Sequence, residues 1–145
     1  DSLLIMRVIL ERRNQAVHFA ATTESGATVA IDGAPAIGGQ GLGARPMELV
    51  LTALGACSGI DVVAILAKQR QEVQAFRGTG EGEREPGKEP SLFSTVHVRF
   101  EVTGACDPDK LGHAVGLSME KYCSVARILE RSATITWSHA VLPAA

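Results

Sequence analysis

The stretch RPMELVLTALGACSGIDVVAILAKQR, residues 45–70, decides the fold. Pro46 suits the first position of a helix, where its missing N–H costs nothing. From Leu49 to Leu66 apolar residues fall on nearly every face instead of on one stripe, the pattern of a helix buried on all sides. Lys68, Gln69 and Arg70 close it with the cationic end that suits a helix C-terminus. One chain of 145 residues has few other elements with which to surround such a helix, so a homodimer with this helix at its core is expected.

Upstream, LLIMRVILE (3–11), AVHFAATT (16–23) and ATVAID (27–32) read as short strands separated by turns. DGAPAIGGQGLGAR (32–45) then reads as a flexible glycine-rich connection, long enough to be functional. It lacks the register of a nucleotide-binding loop. Downstream, VQAFRGTGEGERE (73–85) and SLFSTVHVRFEVTG (91–104) read as strands around the charged loop EREPGKEP. In the second of them Val96, Val98, Phe100 and Val102 point one way, and His97, Arg99, Glu101 and Thr103 the other. Asp107 and Pro108 form a helix cap with proline at the first helical position. The helix they open runs through Leu111, Val115, Met119 and Tyr122; SVARILERS is a second short helical piece, and ATITWSHAVL a final strand. The order is βββ-α-ββ-αα-β, an α+β chain with one domain over residues 1–145.

Composition narrows the function classes. Apolar residues make up 46% and charged residues 21%, ordinary for a soluble globular protein. Aromatics are only 4%, so the core must rest on Val, Leu, Ile and Ala. A net charge of -2 with scattered basic residues argues against nucleic acid or an anionic membrane surface as partner. No uninterrupted apolar tract reaches the length of a membrane span, because Thr52, Ser58 and Asp61 break the longest one. DSLLIMRVILERR lacks the basic start and long apolar segment of a signal peptide. Three cysteines make no disulfide framework, and a cytoplasmic location is expected.

The cysteines carry what chemistry there is. Cys57 sits in the central helix among Gly55, Ala56, Ser58 and Gly59, with Asp61 one turn on. Cys123 follows Tyr122 in SMEKYCSVARIL (118–129). Either reads as a small buried hydrophobe, as one end of a bridge, or as a working thiol. Cys106, in a turn before a helix cap, reads as incidental. Zinc is disfavoured, because Cys57, Cys106, Cys123, His97, His113 and His139 show no CxxC or HxxxH spacing. Asp61, ionisable in an apolar helix, should be buried and hydrogen-bonded, or face a cation such as Arg127 or Lys121. A reactive thiolate at Cys57 needs a cation, yet the backbone of Arg45 lies about 18 Å away along the helix axis. A partner subunit would bring one closer.

Two motifs together are specific. PMELVLTALGAC (46–57) with its following helix, and AVGLSMEKYCSVA (114–126), resemble the OsmC/Ohr superfamily of osmotically inducible and organic hydroperoxide resistance proteins. The resemblance covers essentially the whole chain. Phrasing such as GIDVVAILAKQR is similar to the OsmC-like subgroup typified by YhfA. The resemblance implies an intertwined homodimer, with two β-sheets wrapped around long central helices and two sites at the subunit interface. It implies that the cysteine at the position of Cys57 attacks a peroxide and the one at Cys123 resolves the sulfenic acid as a disulfide. No bound cofactor is implied, only a small-molecule hydroperoxide and an external dithiol reductant. Peroxidase members carry a glutamate directly after the helix-opening proline and an arginine in the preceding loop. Here Met47 follows Pro46 and Glu48 comes one place later, a rotation of about 100° around the helix. Arg45 is the only arginine in the loop, so Arg45 and Glu48 are the candidate modulators, with Asp61 and Tyr122 lining the site. The alternative is a non-enzymatic ligand-binding or redox-sensing dimer that uses the same fold and thiols.

Overall fold

A computed structural model describes residues 4–144. Leu3, at the head of the first predicted strand, lies outside the described residues. The chain divides into two compact units, Asp1–Val50 and Leu51–Ala145.

The first unit is an antiparallel meander of β1 (Val8–Arg12), β2 (Phe19–Thr23) and β3 (Thr28–Ile31). The β1–β2 turn closes on Asn14, whose Oδ1 accepts from the Ala16 and His18 N–H groups at 2.9 and 3.2 Å. The connection after β3 is more ordered than its glycine content predicts. Asp32 is buried, and its carboxylate accepts from the N–H groups of Gly33, Gln40 and Leu42 at 2.8, 2.9 and 3.1 Å. A single 3₁₀ turn, Pro35–Ile37, lies inside it, and an Ile31–Ala44 bridge closes it. Gly39 is needed for the fit, since a Cβ there would lie 1.8 Å from the Gly33 carbonyl oxygen.

The second unit is built on α1 (Pro46–Lys68), whose first turn belongs to the first unit. Its sheet contains β4 (Ala75–Arg84), β5 (Phe93–Thr103) and β6 (Thr134–Leu142), with β5 central. β4 pairs antiparallel with β5, whereas β6 pairs parallel to it. A parallel partner needs a crossover, which α2 (Pro108–Leu117), a π-helical turn (Ser118–Tyr122) and α3 (Ser124–Leu129) supply. Asp107 caps α2 by accepting from the Asp109 N–H at 2.8 Å. The alternation read in β5 is present: Val96, Val98, Phe100 and Val102 are buried. Burial of a side chain the size of Phe100 contributes about 1.5–3 kcal/mol. Its ring meets Phe76 edge-on, with centroids 6.1 Å apart. On β4, glycines take the face that meets α1; a Cβ at Gly82 would lie 3.2 Å from Leu51.

α1 departs from the expectation of burial on all sides. Leu54, Ser58, Gly59, Val62 and Leu66 are buried, but Ile60 is 70% and Val63 42% exposed. Sheet and crossover meet one face of the helix, and among the described residues of the same unit none covers the other. The expectation about membrane-length tracts also needs correcting. With mean hydropathy 2.2 over 18 residues, α1 is apolar enough by length and composition alone to cross a bilayer. Its isolated polar residues interrupt the run without lowering the average enough. Within the chain 28% of that 18-residue stretch is buried, along one face.

Candidate functional site

The second unit brings the two motifs together. Cys57 sits half-buried on α1, and Cys123 is fully buried at the N-cap of α3. The Ala126 N–H donates to Cys123 Sγ at 3.4 Å, and the Cys123 N–H donates to the Ser118 carbonyl at 2.9 Å. All three cysteines are free thiols. Cys57 is near enough to Cys123 to influence its thiol, and burial, more than any other cause, pushes the Cys123 thiol up to about 11. Cys57 raises it further, against the lowering pull of the Ala126 and Val125 N–H groups. Cys123 is thereby held protonated at neutral pH.

Asp61 takes the hydrogen-bonded option. Ser118 Oγ donates to Asp61 Oδ2 at 2.9 Å and lies 3.4 Å from the Ser58 carbonyl. Neither Arg127 nor Lys121 is its partner. Arg127 pairs with Glu130 at 2.9 Å and donates to the Met119 carbonyl, while the Lys121 ammonium lies 5.2 Å from the centre of the Tyr122 ring. Tyr122 itself is exposed, although it adjoins Cys123 in sequence. Arg45 and Glu48 belong to the first unit. Arg45 is exposed, and its backbone N–H donates to Glu48 Oε1 at 2.8 Å. Glu48 thus supplies the return half of a capping box at the start of α1. Cys106 is buried in its turn, with its thiol raised by burial and then by Asp107. No cluster of three or more His, Cys, Asp or Glu suited to a metal occurs among the described residues.

Two residues escaped the sequence reading. Ser118 joins both cysteine-bearing elements, and the only trace of it in sequence is its position five residues before Cys123, the register of a π-turn. Asp32 orders the glycine-rich connection; an aspartate at the head of such a run is a recognisable turn signal.

The α+β scaffold thus brings a half-buried Cys57 and a buried, protonated Cys123 near each other. The chain belongs to the OsmC-like protein family, whose sequence profile matches residues 39–138. It is 47% identical over 100 residues to protein YhfA of Escherichia coli K12, covering 68% of this chain and 74% of that one. A solved structure of a hypothetical protein from Aquifex aeolicus VF5 is 33% identical, with a TM-score of 0.84 over 97% of this chain and 98% of that one. An organic hydroperoxide resistance protein OsmC from Legionella pneumophila shares the fold, with TM-score 0.67 and 16% identity over 94% and 96% of the two chains.

Proposed function

We propose that this protein is a thiol-dependent peroxidase that reduces organic hydroperoxides in oxidative-stress defence, in a reducing cytoplasm. The observation that carries the reading is the thiol pair: a half-buried Cys57 close enough to influence a buried Cys123 that is held protonated. The Cys57 thiolate attacks the peroxide O–O bond and becomes a sulfenic acid, and the alkoxide leaves with a proton as the alcohol. Cys123 sulfur then attacks the Cys57 sulfur; the S–O bond breaks, and the hydroxyl departs with the Cys123 proton as water. An external dithiol reduces the disulfide by two exchanges, restoring both thiols. Within the family, hydroperoxide resistance is named for relatives such as the Legionella protein. Cys57 sits among Ala53, Leu54 and Ala56, surroundings better suited to an organic hydroperoxide than to H₂O₂.

The working form is a homodimer. Support comes from the uncovered apolar face of α1, where Gly55, Ile60, Val63 and Ala64 line an open groove of about 540 Å³. Arg45, supplied by the partner subunit, is the cation proposed for the Cys57 thiolate, and Glu48 the carboxylate that orients the start of α1. The deciding assay is steady-state reduction of cumene or tert-butyl hydroperoxide against H₂O₂, with a dithiol or a monothiol as reductant. Turnover should be faster with the organic peroxides and with the dithiol. Stoichiometric oxidation without turnover would instead favour a redox sensor, and no oxidation at all a ligand-binding dimer.

A further inference from the structure

We propose that Ser118 is a positioning residue for disulfide formation: with Asp61 as its anchor, it holds the π-turn bearing Cys123 in register with the helix bearing Cys57. The proposal rests on the peroxidase reading for its physiological meaning, but its geometry concerns only the two thiols. Ser118 is fully buried and has its N–H, hydroxyl and carbonyl all in use. Its hydroxyl donates to Asp61 Oδ2 at 2.9 Å, one turn past Cys57, and lies 3.4 Å from the carbonyl of Ser58, the residue after Cys57. Its carbonyl accepts the Cys123 N–H at 2.9 Å. One residue therefore ties both cysteine-bearing elements.

The tie matters because of what Ser118 begins. Residues Ser118–Tyr122 form a π-turn, a widened geometry that recurs at functional sites and persists where tertiary contacts hold it. Had α2 simply continued, each later side chain would sit at a different angle around the axis. Arg127 supports the same turn by donating to the Met119 carbonyl, whereas Ser118 hydrogen-bonds to α1 itself. Removing the hydroxyl leaves Asp61 without this donor and the turn without its link to the Cys57 helix. Cys57 would still meet peroxide. Its sulfenic acid would wait longer for Cys123, and a second peroxide would oxidise it to the sulfinic acid.

The hydrogen bond is to a carboxylate, so the alternative is that Asp61 acts through its charge. Asp61→Asn separates these, because the amide oxygen still accepts from Ser118 while the charge is gone. The test compares wild type, Ser118→Ala and Asp61→Asn, each reacted with cumene hydroperoxide without reductant. Mass spectrometry follows loss of the first peroxide equivalent and the ratio of disulfide to sulfinic acid. Diamide, a thiol oxidant that needs no peroxide, is used in parallel to time disulfide closure. Ser118→Ala should consume the first equivalent at the wild-type rate but favour the sulfinic acid about tenfold more, the scale expected from losing one intramolecular hydrogen bond. Diamide closure should slow by a similar factor, and Asp61→Asn should stay near wild type in both. Wild-type partition in Ser118→Ala, or an equal loss in Asp61→Asn, overturns the proposal. Should Ser118→Ala lose its melting transition, Asp61→Ala, which removes the anchor and keeps the serine, is expected to show the same shift; wild-type behaviour there overturns it too. A wild type inert to peroxide, yet closed by diamide faster than Ser118→Ala, would end the peroxidase reading and leave the positioning role standing.

Discussion

At the residue scale the two thiols are set apart by burial. Cys123 sits with no exposure and is pushed up to about 11, so at neutral pH it stays protonated, which suits the resolving role proposed for it. Cys57→Ser should abolish peroxide turnover. Cys123→Ser should allow one oxidation per subunit followed by over-oxidation, and mass spectrometry of the reacted variants reads both outcomes. The raised value also links to stability. The unfolded chain releases this proton near the ordinary value of 9.0, the folded chain only near about 11. The native state therefore binds the proton more tightly, and the contribution is present below 9 and lost as pH rises through 11. Denaturant titration of wild type against Cys123→Ser under reductant should show the two stabilities converging over that interval; parallel curves would remove burial of this thiol as the cause. The cysteines were legible as a pair only through the two motifs in combination. Ser118 was not, because a serine in a helical run carries no signal of the element across from it.

At the scale of elements, the strands and helices followed from periodicity and capping. β5 alternates as its sequence alternates, and Asp107–Pro108 opens α2. What stayed hidden depended on distant partners: the parallel β5–β6 pairing, the π-turn, and the order in the connection after β3. That order is a matter of one carboxylate. The N–H of Gln40, then those of Leu42 and Gly33, hold Asp32 below its ordinary 3.8 against the opposing effect of burial. Its stabilisation is therefore present above 3.8 and lost as pH falls through the lower folded value. Asp32→Ala should strip hydrogen-exchange protection from the Gln40 and Leu42 amides while leaving β5 protected. In wild type the same amides should keep their protection down to about 4 and lose it only in stronger acid. Unchanged protection in Asp32→Ala would mean that the glycine packing around Gly39 orders the connection instead.

For the whole molecule, the open face of α1 is the fact that asks for a second chain. Ile60 and Val63 stand exposed beside glycine and alanine positions that permit close helix approach, and apolar patches of this kind mark association sites. β1 adds Val8, Ile9 and Leu10, all exposed on an edge strand. Sedimentation at micromolar concentration should give a dimer, and Ile60→Glu should shift it toward monomer by burying a charge at the seam. A monomeric wild type would contradict the dimer. The sequence announced this surface as an all-round apolar helix; among the described residues one face of it stands open, and the proposed dimer would supply its cover.

The central claim is that Cys57 and Cys123 form one redox couple driven by organic hydroperoxide. Its most direct test is peptide mapping of wild-type protein after one equivalent of cumene hydroperoxide. A Cys57–Cys123 disulfide should form within the same subunit and disappear on adding a dithiol, with Cys106 unmodified. Cysteines left reduced, or a disulfide that includes Cys106 in place of either partner, would contradict it.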